Sequence, residues 1–220
     1  MNQIKLIIFD FDGTIADSLQ AGIKITNKIA DKLNFRKLDP NKIDYYKNLS
    51  PSDFLKLMKV PIYKIPALAT IYHAEFNKII GQLKPFANID IVVKELAKHY
   101  KLGILSSNSV ENIKIFLKNN NLDSYFSFIH SQPHIFGKSA NIKRILRQAR
   151  LNNRQAIYIG DEVRDIQAAK KAKIPIIAVS WGLNSLQNLQ KHNPDFLITE
   201  PLQILDLLTG KNSMENQHTT

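Results

Sequence analysis

Two aspartates stand two positions apart in Asp10-Phe11-Asp12-Gly13-Thr14, where an apolar run gives way to a glycine turn. Carboxylates with that spacing can point into one crevice and serve as nucleophile, acid, base or metal ligand. The plainer alternatives are a turn with two solvated carboxylates, or a calcium loop. An EF-hand starting at Asp10 would need Gly at its sixth position and Glu at its twelfth, and the chain has Ile15 and Ala21 there. The calcium reading fails. A second acidic run, Gly160-Asp161-Glu162-Val163-Arg164-Asp165, follows another apolar run. By itself it is equally a helix N-terminus carrying acids for the macrodipole. Taken together, Asp10, Asp12, Asp161 and Asp165 would repel and raise one another's pKa unless a cation neutralised them. An all-oxygen donor set without His or Cys suits Mg²⁺.

Two further groups carry chemistry. Ser106-Ser107-Asn108-Ser109 precedes a helical stretch, and hydroxyls with backbone N–H groups at a helix start suit a phosphate. The alternative is plain N-capping, with Ser109 the best cap. Phe136-Gly137-Lys138-Ser139 resembles the tail of a P-loop, but Gln132 stands where the first glycine is required, so nucleotide binding of that type is not expected. Lys138 alone would be an ordinary surface lysine. His130 and His134 are not expected to bind metal, since Pro133 breaks the helical spacing between them. Trp181 reads as packing. Tyr45, Tyr46, Lys47, Lys56 and Lys64 are candidates for substrate contact and equally for plain surface.

These groups need elements to position them. Continuous apolar runs of strand length fall at 4–9, 102–105, 126–130, 156–159, 174–179 and 196–198, as for strands buried on both faces of a parallel sheet. Helical patterns fall at 89–99, 109–120, 139–150, 165–172 and 202–208. The alternation predicts an α/β fold, a Rossmann-like parallel sheet with helices on both faces and chemistry at the strands' carboxyl ends. Residues 17–83 break the alternation. Leu19, Ile23, Ala30 and Leu33 form one helical stripe, and Leu68, Tyr72, Phe76, Ile79 and Leu83 another, punctuated by Pro40, Pro51, Pro61 and Pro66. That predicts a small all-helical domain at 17–83, inserted after the first strand of a core at 1–16 and 84–210. Residues 211–220 read as a polar tail.

Composition narrows the class. The 220 residues are 44% hydrophobic, ordinary for a globular chain, and the absence of cysteine excludes disulfides, thiol catalysis and iron–sulfur ligation. No apolar run spans a bilayer, and the N-terminus lacks a cleavage pattern, so the expected compartment is the cytoplasm. The net charge of +11 raises nucleic-acid binding as a rival class. The lysines are spread along the chain with no aromatic-interleaved basic motif, so no nucleic-acid partner is expected.

With the four groups in order, each at the end of an apolar run, the chain resembles the haloacid dehalogenase-like phosphohydrolases over about residues 4–208. It is similar in style to phosphoglycolate-phosphatase-like members with a helical cap. The resemblance implies that Asp10 is the nucleophile, forming an aspartyl-phosphate. It implies that Asp12 protonates the leaving alkoxide and then takes a proton from the attacking water. A Mg²⁺ would be shared by Asp10, the Asp12 backbone carbonyl and Asp161, with Asp165 acting through water or toward Lys138. Ser107 and the Asn108 N–H would hold phosphate oxygens, with Ser106 a possible substitute for Ser107, and Lys138 would balance charge. Dehalogenases of this superfamily lack the second aspartate, so Asp12 points to phosphate chemistry on a small phosphorylated metabolite. A phosphomutase uses the same aspartate pair and stays as the alternative, though its fourth motif more often reads Glu-Asp than Gly160-Asp161.

Overall fold

The computed structural model describes residues 3–49, 51–131 and 137–210, with the Pro51 side chain excepted. Six strands form one parallel sheet: β1 (Leu6–Phe9), β2 (Lys101–Ser106), β3 (Phe126–Ser131), β4 (Ala156–Gly160), β5 (Ile176–Val179) and β6 (Phe196–Ile198). Their spatial order is β3-β2-β1-β4-β5-β6, and every pairing is parallel. The order reverses at β1, which opens a crevice beyond the carboxyl ends of β1 and β4.

Each strand's alternating residues supply two separate cores. Ile7, Phe9, Ile157, Ile159, Ile177 and Val179 face one side, and Leu6, Ile8, Ala156, Tyr158, Ile176 and Ala178 the other. Helices α5 (Ile89–Leu96), α6 (Val110–Asn119) and α10 (Gln203–Thr209) cover the first side. Helices α7 (Lys138–Ala149), α8 (Val163–Ala172) and α9 (Leu186–Gln190) cover the second. This is why the strands read as unbroken apolar runs. The first strand begins at Leu6 rather than at residue 4, and α9, with two apolar residues in five, has no counterpart in the sequence pattern.

Between β1 and α5 the described residues contain helices and no strand: α1 (Leu19–Leu33), α2 (Ile43–Tyr46), α3 (Pro51–Leu57) and α4 (Ile65–Asn77), with 3₁₀ turns at Pro40–Lys42, Ile62–Lys64 and Ile80–Gln82. Proline opens these pieces, at the first position of α3 and the second of α4, where no backbone N–H is needed. Helix α1 is apolar on two faces. Ile23 and Ala30 pack with Leu38 and Met58 in a small core of the insert itself. Ile25 and Ile29 belong with Phe76 and Ile80 to the cluster that reaches Phe11 and Ile15. The two chain passages into and out of the helices lie side by side: Asp17 N donates to Lys84 O and Phe86 N to Ile15 O, both at 3.0 Å, with Ala16 bridged antiparallel to Pro85. No helix among the described residues is long and apolar enough to cross a membrane.

Candidate active site

Asp10 is the first residue past β1, and its N–H donates to Ile159 O at 2.8 Å, which carries β1–β4 pairing one residue beyond the strand. Its carboxylate accepts from Phe11 N (Oδ1, 2.8 Å) and from Lys138 Nζ (Oδ2, 2.8 Å). Lys138, the first residue of α7, also meets Asp165 Oδ1 at 2.5 Å and lies 5.2 Å from the centre of the Tyr158 ring. It is buried, not a surface lysine. Burial works to deprotonate the ammonium, and Asp10, Asp165 and Tyr158 together hold it well above its ordinary pKa.

Asp161 follows directly on β4. Thr14 Oγ1 donates to its Oδ1 and Leu183 N to its Oδ2, both at 2.7 Å. Gly13 has φ +77°, and a Cβ there would overlap the Asp161 carboxyl group. A Cβ on Gly182 would collide with both Gly13 O and Asp161. Two backbone segments therefore close around one carboxylate, and both need glycine. Burial raises the Asp161 pKa well above the usual range, reinforced by Glu162, Asp10 and Asp165. Asp165, in the first turn of α8, is raised by burial and opposed by Lys138, and its Oδ2 accepts from Glu162 N.

One ligand oxygen from each of Asp10, Asp161 and Asp165 falls within 4.8 Å of the others. Three buried carboxylates against one buried ammonium leave two negative charges, which a divalent cation would neutralise. The donors are all oxygen, and the set fits Mg²⁺. The Asp12 carboxylate is not in this cluster. It turns to Asn108, whose Nδ2 donates to Oδ2 at 2.9 Å, while Oδ1 is buried with no hydrogen-bond partner among the described residues. Burial first, then Asp10, lifts the Asp12 pKa from 3.8 to about 6 against the pull of Asn108 and of the nearby Ser18 hydroxyl.

Strand β2 runs through Ser106, which is buried and accepts from Asn108 N at 3.2 Å. Ser107, one residue on, is partly exposed. Asn108 thus spends its side chain on Asp12 and its backbone N–H on Ser106. Ser109 caps α6, its hydroxyl accepting from Asn112 N at 3.1 Å. Trp181 packs near Phe86 and donates to Thr14 O at 3.2 Å. Of the insert's candidates, Tyr46 accepts from Asp39 N inside the insert, Lys56 pairs with Asp53 and Lys64 lies over Phe35. Tyr45 is exposed. The Lys47 carbonyl accepts from Ser185 N at 3.2 Å. His130 lies on β3 against Phe128, its pKa lowered by burial and by Arg144. His134 and residues 211–220 lie outside the described residues.

Sequence reasoning gave no role to Thr14, Tyr72 or Arg164. Tyr72 brings a largely buried hydroxyl from α4, its pKa raised by burial and by Asp12. Arg164 is paired with Glu162 through Nε and Nη2, its pKa held up against burial by Glu162, Asp10 and Asp165. Thr14 lay inside the first motif and was within reach of the sequence. Tyr72 was not, because its position on an apolar stripe reads as core.

The family model for haloacid dehalogenase-like hydrolases matches residues 7–179, which takes in β1 through β5 and every carboxylate of the cluster. The chain belongs to the haloacid dehalogenase-like hydrolase family. It is 28% identical to a phosphoglycolate phosphatase of Synechococcus elongatus over 207 residues, 94% of this chain and 98% of that one. It is 24% identical to the pyrophosphatase PpaX of Bacillus cereus, over 96% of this chain and 99% of the relative. Among solved structures, a haloacid dehalogenase-like hydrolase of Streptococcus pneumoniae superposes with a TM-score of 0.81 at 25% identity, over 94% of this chain and 99% of that one. The phosphohydrolase family to which the motifs pointed is thus the family of the chain.

Proposed function

We propose that the protein is a Mg²⁺-dependent phosphatase acting on small phosphomonoesters through a phosphoryl group carried on Asp10. The observation that carries this reading is the meeting of Asp10, Asp161, Asp165 and Lys138 beside an Asp12 oxygen with no hydrogen-bond partner among the described residues. Asp10 and Asp161, with the Asp12 carbonyl, would hold the ion and Asp165 would orient its outer shell. When bound, the metal screens the substrate's charge from the carboxylate that attacks it.

The Asp10 carboxylate attacks phosphorus, and the ester oxygen leaves with the proton from Asp12. Asp12 then takes a proton from the water that attacks the acyl phosphate, which returns Asp10 and releases inorganic phosphate. A pKa of about 6 suits a group that must give and take a proton near neutrality. Ser107, partly exposed beyond β2, and the Asn108 N–H would hold phosphate oxygens, the N–H leaving its contact with Ser106 to do so. Lys138 would hold the Asp10 carboxylate in place through their ion pair and balance the incoming charge. The named relatives support phosphate chemistry, one on phosphoglycolate and one on pyrophosphate.

The test is a panel of phosphorylated metabolites, including phosphoglycolate and pyrophosphate, assayed for phosphate release with Mg²⁺ and with EDTA. Asp10→Asn keeps the shape and removes the nucleophile. Its turnover is expected to be abolished, with an unchanged circular dichroism spectrum. Near-normal kcat in that variant would sink the assignment.

A further inference from the structure

Four side chains form a hydrogen-bonded line from the end of α4 to Asp12. Asn112 Nδ2 donates to Asn77 Oδ1 at 2.6 Å and to Asn108 Oδ1 at 2.9 Å, and Asn108 Nδ2 donates to Asp12 Oδ2 at 2.9 Å. Asn108 and Asn112 are buried. Asn77 is the last residue of α4, at the solvent edge.

The polarity of the line is set by one backbone group. Ser109 N donates at 2.8 Å to the Asn108 side chain, and a peptide N–H can only donate, so the atom it meets is Oδ1. The other end of that amide is therefore NH₂, and it faces Asp12. Asn112 must in turn present its NH₂ to Asn108 Oδ1, and the second hydrogen of the same group reaches Asn77. An inverted Asn112 amide would set its oxygen against Asn108 Oδ1, inside a buried region where the mismatch is costly.

The consequence falls on Asp12. With Oδ2 engaged by Asn108, the oxygen left to carry a proton is Oδ1, the buried atom with no hydrogen-bond partner among the described residues. We propose that Asn112 is a positioning residue for proton transfer by Asp12, and that its bond to Asn77 makes this positioning depend on α4 being seated. The inference rests on the acid–base role of Asp12 given above. Asn112 touches neither phosphate nor metal ligand in this arrangement. It acts by holding Asn108, and Asn108 by holding Asp12.

The experiment compares phenyl phosphate, whose leaving oxygen is strongly basic, with p-nitrophenyl phosphate, whose leaving oxygen needs little help from an acid. Asn112→Leu is expected to lower kcat/KM for phenyl phosphate by about 10- to 100-fold, with a much smaller loss on p-nitrophenyl phosphate. The phenyl phosphate loss lies in kcat rather than KM. A purely structural role would depress both substrates equally. Asn77→Leu shifts the ratio in the same direction, and Asn77→Asp, which keeps an acceptor for the same hydrogen, recovers the loss. Should Asn112→Leu fail to fold, Asn112→Asp keeps the side-chain volume, sets an oxygen against Asn108 Oδ1, and is read by the same ratio. A folded Asn112 variant with the wild-type ratio overturns the positioning role and leaves the phosphatase reading intact. Wild-type protein that hydrolyses neither ester with Mg²⁺ overturns that reading, and this proposal with it.

Discussion

Asp12 has an ordinary pKa of 3.8 when the chain is unfolded and about 6 in the folded protein. Between those values the folded chain holds a proton that the unfolded chain has released. Without metal, stability therefore falls as pH rises from about 4 to about 6, and burial pushes Asp161 and Asp165 in the same direction. Thermal unfolding in EDTA across that window is expected to show a falling Tm, with the largest gain from Mg²⁺ at pH 7 and above. A Tm that rises with pH in EDTA would show that these carboxylates do not share a desolvated site. The same repulsion predicts the effect of Asp161→Asn. The amide can accept from Leu183 N and donate to the Thr14 hydroxyl, so packing survives while one buried charge is removed. Metal-free Tm is expected to rise by about 2–4 °C, the shift that about 1 kcal/mol produces in a chain of this length. Activity falls to background. A site that becomes more stable when it is disabled is one built for chemistry.

At the scale of elements, the turn after β1 and the loop after β5 meet over Asp161, and glycine makes the meeting possible. Gly182→Ala puts a methyl group against Gly13 O and Asp161 with no flexible neighbour to give way. The expected result is a higher Mg²⁺ concentration for half-activation and a loss of kcat well beyond any loss in Tm, read by metal titration of activity. This part of the site was only half legible. The strands could be read because burial on both faces leaves each an unbroken apolar run, and Asp10, Asp12 and Asp161 stand just beyond such runs. Asp165 and Lys138 carried little signal by themselves, and only the resemblance to the family's motifs singled them out; they stand in the first turns of α8 and α7. Ser106 and Ser107 could not be separated, because a strand of period two buries one or the other according to a single residue of register. The structure buries Ser106 and leaves Ser107 partly open. Asn77 and Asn112 gave no signal at all. A polar residue near a helix end reads as solvated, and only the seating of the Ile80–Gln82 turn, just beyond α4, on α6 brings these two together.

For the molecule as a whole, the charge of +11 bears on how substrate arrives rather than on what is done to it. For a small dianionic ester, kcat/KM is expected to fall several-fold between about 0.05 M and 0.5 M salt, the range over which the screening length shrinks to a few ångströms. The value of kcat should hardly move. An unchanged kcat/KM would mean that the surplus lysines create no field at the crevice. The paired passages at Asp17–Lys84 and Ile15–Phe86 carry a different implication, for the order in which the chain comes together. Strand β1 must find β2 across roughly ninety residues, and a long unstructured loop makes that search entropically expensive. The insert has apolar contacts of its own, among Ile23, Ala30, Leu38 and Met58, and its ends emerge together. If it forms first, the effective loop shortens to roughly twenty-five residues, saving on the order of 1 kcal/mol in closure entropy. Met58→Ala is then expected to slow refolding, not only to hasten unfolding, in stopped-flow measurements. The helices that interrupt the sheet in sequence would be what lets its first two strands find each other quickly.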